Sequence, residues 1–443
     1  MKDWLSSHPE VRSVRLAAAD LNGVPRGKRI PSQFAGKLAE GTARFPYSVL
    51  NLDIWGGDIE DSPLVFESGD QDGFLQMTDR GPLPMPWLDN PAALVPVWMV
   101  HEDGTPYDGD PRQALQRVLD RYAARGLSPV AAVELEFFLV DDSGDGLEMP
   151  ALPTNGKKRA RPDILSLATL DAFDGFFSDL YAACDAMGIP ADAAISEAAK
   201  GQFEINLMHG DAMKAADDAW LFKMLVKGLA RKHGCAATFM TKPYPDEAGT
   251  GLHTHFSVLD QDGNNVFDDG SDMGSDTLRH AIAGCMAAMR DSTLAFAPHA
   301  ASYDRMVPGA HAPTSICWAH ENRTAAIRVP SGPPKARRIE HRVAGGDVNP
   351  YLMLTAILGA ALNGIEDGAE PPAPITGNSY DQDLPQIITD WAEAIDTFET
   401  SAEVARLFPA ELIRNMVLTK RQEMREIANM DAAERLETYL ESV

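Results

Sequence analysis

The stretch Val130–Val140 reads VAAVELEFFLV, and its two acids, Glu134 and Glu136, stand in an otherwise apolar run. A short, wholly apolar run rich in Val and Phe reads as a strand buried on both faces. Alternate residues of a strand face one way, so the two carboxylates share a side. Two negative charges on a buried face are costly unless something cationic meets them. The plainer alternative is an edge strand with one solvated face.

Outward from this stretch the pattern recurs. Gly201–Leu207 (GQFEINL) is another apolar strand with one acid, Glu204, and Glu197 precedes it closely enough to converge around a turn. His253 and His255 share a strand face within Gly251–Val258 (GLHTHFSV). Glu340 stands in Arg337–Arg342 (RRIEHR), where Arg338, Glu340 and Arg342 share a side if the segment is extended. A lone Glu or His on a strand is commonly a satisfied structural residue, but repetition on separate apolar strands points to a metal centre. Hard oxygen donors suit Mg²⁺ or Mn²⁺ rather than Zn²⁺. A single ion would not use so many carboxylates. Two or more ions, with phosphate oxygens completing their shells, fit a phosphoryl transfer.

Arginines gather in the last third: Arg305, Arg323, Arg328, Arg337, Arg338 and Arg342, with Lys335. The arginine fork matches carboxylate and phosphate bidentately. The alternative is a solvated or interface face that neutralises local acids. No GxxxxGK[ST] occurs and no GxGxxG follows a strand, so a nucleotide would have to be held by metals and arginines.

The chain has 443 residues with a formal net charge of −26, 44% hydrophobic and 23% charged. That is the balance of a globular enzyme of several domains. So acidic a surface repels phosphate backbones and argues against nucleic acid as a partner. The first residues carry no basic-then-apolar leader, and no run approaches a membrane span. The four cysteines show neither metal-ligand spacing nor a disulfide framework, which fits a reducing cytoplasm.

Residues 11–100 read as a strand-rich unit and Gly104–Pro111 as its linker to the rest. Asp110-Pro111 starts a helix running to about Arg125. Beyond it lie strands at Pro129–Val140, Gly201–Met208, Leu252–Leu259 and Ala325–Val329. Helices are expected at Leu170–Met187, Ala212–His233, Leu278–Met289 and Tyr351–Leu362, with a charged helical C-terminus. The fold class is α+β, a small β domain in front of a catalytic domain.

In this order, Leu21–Pro31 (LNGVPRGKRIP), Val133–Phe138 (VELEFF), Gly201–Leu207, Ala237–Tyr244 (ATFMTKPY), Gly249–His255, Ser302–Pro308, Asn322–Pro330 and Arg338–Tyr351 (RIEHRVAGGDVNPY) resemble the glutamine synthetase family. Within it they look most like the γ-glutamylputrescine synthetase branch of glutamate–amine ligases. The resemblance implies a β-grasp-like domain over residues 1–105, which walls a neighbouring subunit's active site. It implies a catalytic domain over 106–443, an antiparallel sheet with helices. It implies that Glu136, Glu197 and Glu204 hold one ion and Glu134, His253 and Glu340 another. By the same pattern Gly249, Arg305 and Arg342 seat L-glutamate. Arg323 and Arg328 meet the transferring phosphate and ATP, while His255, Ser257, Lys335 and Arg338 face the nucleotide. Catalytic roles fall to Arg323, Glu340 and Asp53, with Asp58 as the alternative to Asp53 for deprotonating the amine.

The implied reaction makes γ-glutamyl phosphate from ATP and glutamate, and the amine then displaces phosphate. The implied assembly is a homo-oligomer of two hexameric rings. One departure bears on the amine. In Val307–Pro313 (VPGAHAP), His311 stands where glutamine synthetases carry a Glu. A neutral imidazole cannot hold ammonium by charge, so a larger amine such as putrescine is expected. The alternatives are a small monoamine (methylamine or ethanolamine), ordinary glutamine synthesis from ammonia, and, remotely, a non-catalytic binding or structural relative.

Overall fold

The computed structural model describes the whole chain except residues 145, 159–160 and 308–311. The first sheet runs β1 (Ser13–Ala19), β2 (Pro25–Pro31), β3 (Arg44–Pro46), β4 (Asp72–Met77), β5 (Leu83–Pro84) and β6 (Ala92–Val100). Its strand order is β2-β1-β6-β4-β3, with β5 also on β6. β1 and β6 pair in parallel and the other pairs are antiparallel. The apolar run Ala92–Val100 is explained by burial on both sides. Ala93, Val95, Val97 and Met99 join Val14, Leu16 and Leu75 in the sheet's own core. Ala92 and Leu94, facing the other way, join Ala17 and Ala19 in the main core of the molecule.

The expected linker is tied down. Asp110 is buried, and its carboxylate accepts from the backbone N–H of Met99 at 2.8 Å and of Arg112 at 2.8 Å. The same carboxyl that caps the Pro111–Ala123 helix thus anchors β6.

The second sheet holds β7 (Ser128–Val140), β8 (Ala191–Ser196), β9 (Gln202–Leu207), β10 (Gly210–Asp211), β11 (Ala236–Thr238), β12 (Leu252–Leu259), β13 (Trp318–His320), β14 (Ile327–Val329) and β15 (Ile339–His341). The order is β13-β14-β15-β12-β7-β9-β8, with β10 and β11 also on β7. Among the described residues, only β13 and β14 of this sheet pair in parallel. β7 is central, as its composition requires.

Helices back this sheet. Ala212–Lys232 is capped by Asp211, and Pro350–Asp367, capped by Asn349, is apolar nearly all round because it is buried on several sides. It crosses Asp276–Met289 so closely that a Cβ on Gly364 would sit 2.1 Å from the His280 carbonyl oxygen. The helix expected over Leu170–Met187 is two helices, Leu167–Ala172 and Asp174–Met187, broken at Phe173. Its C-terminus is as expected, with Gly188 left-handed at φ 65°. No helix of the described residues is long and apolar enough to cross a membrane.

Candidate active site and metal centre

Strand register builds the site in layers. On β7 and β9, Glu136 lies opposite Glu204, and Glu134 opposite Asn206. On the other side of β7, Glu134 faces His253 of β12, then Ala132 faces His255, and Val130 faces Ser257. β15 places Glu340 beside His255, and β14 places Arg328 beside Glu340. One end of this face is therefore acidic, and the next strands outward are basic.

The acidic end is short of counter-charge, with Arg305, Arg342 and Arg323 outweighed by burial and by the neighbouring acids. Burial, and then the neighbouring Glu197, pushes the Glu136 carboxyl up to about 8. Burial, and then Glu134, Glu136 and Glu197, pushes Glu204 up to about 9. Glu197 is raised by burial and by Glu134. Such groups resist ionisation until a cation arrives. Two donor sets stand ready, each with its ligand atoms within 4.8 Å of one another: Glu134, His253 and Glu340; and Glu136, Glu204 and His253. The second set differs from the expected Glu136, Glu197 and Glu204. His253 reaches both sets, and Glu197 stays within electrostatic range outside them. Residues rich in oxygen donors, with one imidazole, fit Mg²⁺ or Mn²⁺.

The middle layer is ordered by hydrogen bonds. Burial, and then Arg342, lowers His253, so its imidazole is neutral; its Nδ1–H donates to Glu134 Oε2 at 3.0 Å. His255 Nε2–H donates to Glu134 Oε1 at 2.9 Å, while its Nδ1 accepts from Arg338 Nε–H at 3.2 Å. Burial opposes ionisation of Glu134, but these two imidazole bonds outweigh it and hold the carboxyl well below its usual range. Glu340 is fully buried between Arg328, whose Nη1 donates to it at 2.6 Å, and Arg342. Burial again opposes, and Arg342 with the histidines and Arg328 keeps it ionised.

His255, Ser257, Lys335 and Arg338 line an open cleft of about 690 Å³ that begins at Glu134. Arg328 stands outside that lining. Arg305 is buried, donates to the Val343 carbonyl at 2.8 Å and lies in the field of Glu136. Gly249 packs against it: a Cβ there would lie 2.5 Å from the Thr241 oxygen and 3.2 Å from Arg305. Arg323 is exposed and acts on Glu197 and Glu204 through its field. Asp53 is buried and committed to its own loop. It accepts from the N–H groups of Trp55 and Gly57 at 3.0 and 2.7 Å, and from Gln422 at 2.9 Å. Asp58 is exposed. His311 lies outside the described residues.

Some polar residues of the site escaped the reading of the sequence. Gln202 donates to Glu136 and to the Gly249 carbonyl, both at 3.0 Å, linking the acidic layer to the Arg305 region. Asp192, Asn206, His209 and Asn265 line the cleft. Asparagine and glutamine in short strands carry no local signal of such a role.

Residues 108–439 match the family model for the glutamine synthetase catalytic domain. The chain is 38% identical over 394 residues to the γ-glutamylputrescine synthetase PuuA of Escherichia coli strain K12, covering 86% of this chain and 82% of that protein. It is 33% identical over 417 residues to the γ-glutamylethanolamide synthetase GlnA4 of Streptomyces coelicolor, covering 92% and 88%. Among solved structures, ligand-free GmaS superposes with a TM-score of 0.83 at 27% identity, covering 97% of each chain.

Proposed function

This chain belongs to the glutamine synthetase family, and from that premise we propose that it is an ATP-dependent ligase joining the γ-carboxyl of L-glutamate to an aliphatic amine of the putrescine type. The convergence of buried, charge-frustrated carboxylates beside buried arginines carries the ligase reading. The PuuA similarity and His311 in place of an acid carry the choice of amine.

Carboxylate and amine do not condense unaided: the carboxylate is a poor electrophile and the amine is protonated. Phosphorylation solves the first problem. A glutamate γ-oxygen attacks the terminal phosphorus of ATP, the bond to the bridging oxygen breaks, and ADP leaves. The amine nitrogen then attacks the acyl carbon and expels phosphate. Divalent cations bound by Glu134, Glu136, Glu204, His253 and Glu340, with Glu197 in range, would supply neutralisation of phosphate charge. Gly249, Arg305 and Arg342 seat the glutamate, and Gln202 keeps the first and Glu136 in register. Arg328 and the exposed Arg323 offset charge as the phosphoryl group moves. His255, Ser257, Lys335 and Arg338 receive the nucleotide along the cleft.

The amine must also lose a proton. With Asp53 occupied by its loop, Asp58 is the better base, and the unit over residues 1–105 would present it to a neighbouring subunit's site in a ring assembly of two hexamers. ATP as substrate suits the cytoplasm.

The test follows phosphate release with ATP, Mg²⁺, glutamate and one amine at a time. Putrescine should outrun ethanolamine and methylamine, and ammonia should be poorest. Turnover with ammonia alone would defeat the amine assignment, and no turnover with any amine would defeat the ligase reading.

A further inference from the structure

On β9 the face that carries Glu204 next carries Asn206, one step nearer the mouth of the cleft. Asn206 stands directly opposite Glu134. A cross-strand Asn–Glu pair would ordinarily bond through the amide N–H. Here it does not, because His253 and His255 have drawn both Glu134 oxygens toward β12. The Asn206 amide oxygen is left buried with no partner. A buried acceptor without a donor costs roughly 1–3 kcal/mol.

Its surroundings make the orphan more telling. Asn206 pairs across the sheet with Glu134 and follows Glu204 on the same face, so the partial negative charge of its oxygen adds to a group of carboxyls already hard to ionise. That placement is favourable only when positive charge comes between them. A neutral oxygen completes the shell of a hard cation without adding net charge. We propose that Asn206 is a further contact of the divalent-cation site, its amide oxygen facing the ion held by Glu134, His253 and Glu340, directly or through one water of the ion's shell. The proposal rests on the metal assignment above.

The experiment titrates Mn²⁺ into the nucleotide-free full-length protein, by calorimetry or by the loss of free Mn²⁺ spin resonance, so that no turnover is needed. Asn206→Ala should weaken Mn²⁺ binding roughly tenfold, the effect of losing one supporting contact. Asn206→Asp keeps the shape and an oxygen donor. It should bind Mn²⁺ at least as tightly as wild type and melt lower in EDTA, because it adds a like charge. Glu134→Gln, run in parallel, should lose binding of the ion held by Glu134, His253 and Glu340, while the set of Glu136, Glu204 and His253 keeps its own. Unchanged affinity in Asn206→Ala, with that ion lost in Glu134→Gln, overturns the role of Asn206 and leaves the metal assignment standing. Unchanged affinity in both overturns the metal assignment itself. If Asn206→Ala does not fold, a folded Asn206→Asp that binds more weakly than wild type overturns the proposal.

Discussion

Glu204→Gln should make the metal-free protein more stable while weakening its response to metal. Glu204 is 6% exposed and its carboxyl is pushed up to about 9 from 4.5 by burial and then by Glu134, Glu136 and Glu197. At pH 7.5 folding must keep a proton on a group that ionises freely in the unfolded chain. Three pKa units at about 1.4 kcal/mol each give about 4 kcal/mol. Protein relaxation and water penetration reduce that to about 2 kcal/mol. Glutamine keeps the volume and hydrogen-bonding capacity without the penalty. For a chain of this length the gain corresponds to a melting temperature in EDTA higher by about 2–4 °C. The sign is fixed by linkage. A raised carboxyl contributes stability that is complete below the unfolded value and lost as pH rises through the folded one. The gap between wild type and variant should therefore close near pH 5 and widen toward pH 9. Mg²⁺ should raise the melting temperature of wild type more than that of the variant, which keeps only the set of Glu134, His253 and Glu340 whole. A variant that melts below wild type in EDTA, or that responds to Mg²⁺ as wild type does, would refute the account.

Glu340→Ala should abolish phosphate release while light scattering shows the same assembly as wild type, because the ion-pair partners of Glu340, Arg328 and Arg342, belong to the site. Gly249→Ala should raise the KM for glutamate more than tenfold and leave that for ATP little changed, since the new methyl meets Thr241 and Arg305; kinetics with each substrate varied separately would decide. Lys420 is fully buried and donates to Glu423 at 2.8 Å and to Asn22 at 2.7 Å. Lys420→Met should lower stability by roughly 3–5 kcal/mol, read from the urea midpoint, by taking the lysine charge from the buried Glu423 carboxylate, which keeps its bonds to His299 and Tyr439. Adding Glu423→Leu should recover much of that loss.

How far the sequence could lead depended on whether a feature was local. β7 and β12 were legible because alternation and apolarity lie within a single stretch, and the Asp110 and Gly188 helix ends because caps are local chemistry. The break at Phe173 was not, since no proline or glycine stands at that position to announce it. Register between distant strands was also hidden. Glu136 meeting Glu204 across β7 and β9, and His253 reaching both donor sets, are outcomes of pairing. Asp53 shows the same limit: Gln422, which occupies its carboxylate, lies 369 residues away.

Under the proposed function, the layered register also gives the nucleotide one favourable orientation. The acidic pair Glu136–Glu204 is closed off by burial and by Gln202, so a polyanion cannot approach it without cations between. In the opposite direction, Ala132, Val130 and Ser257 replace the acids, and Lys335 and Arg338 stand over them. A ligand with an apolar base at one end and its greatest negative charge at the other therefore has one low-energy orientation. The base takes the small, neutral end, and the terminal phosphate goes to the layer of Glu134, His253 and Glu340. Arg328 and Arg342 already neutralise Glu340 there, so phosphate meets a near-neutral boundary rather than bare carboxylates. On this argument the two arginines do more than bind phosphate. They screen Glu340, and removing either should weaken ADP affinity even in the absence of glutamate, because the layer loses one positive charge facing the phosphates.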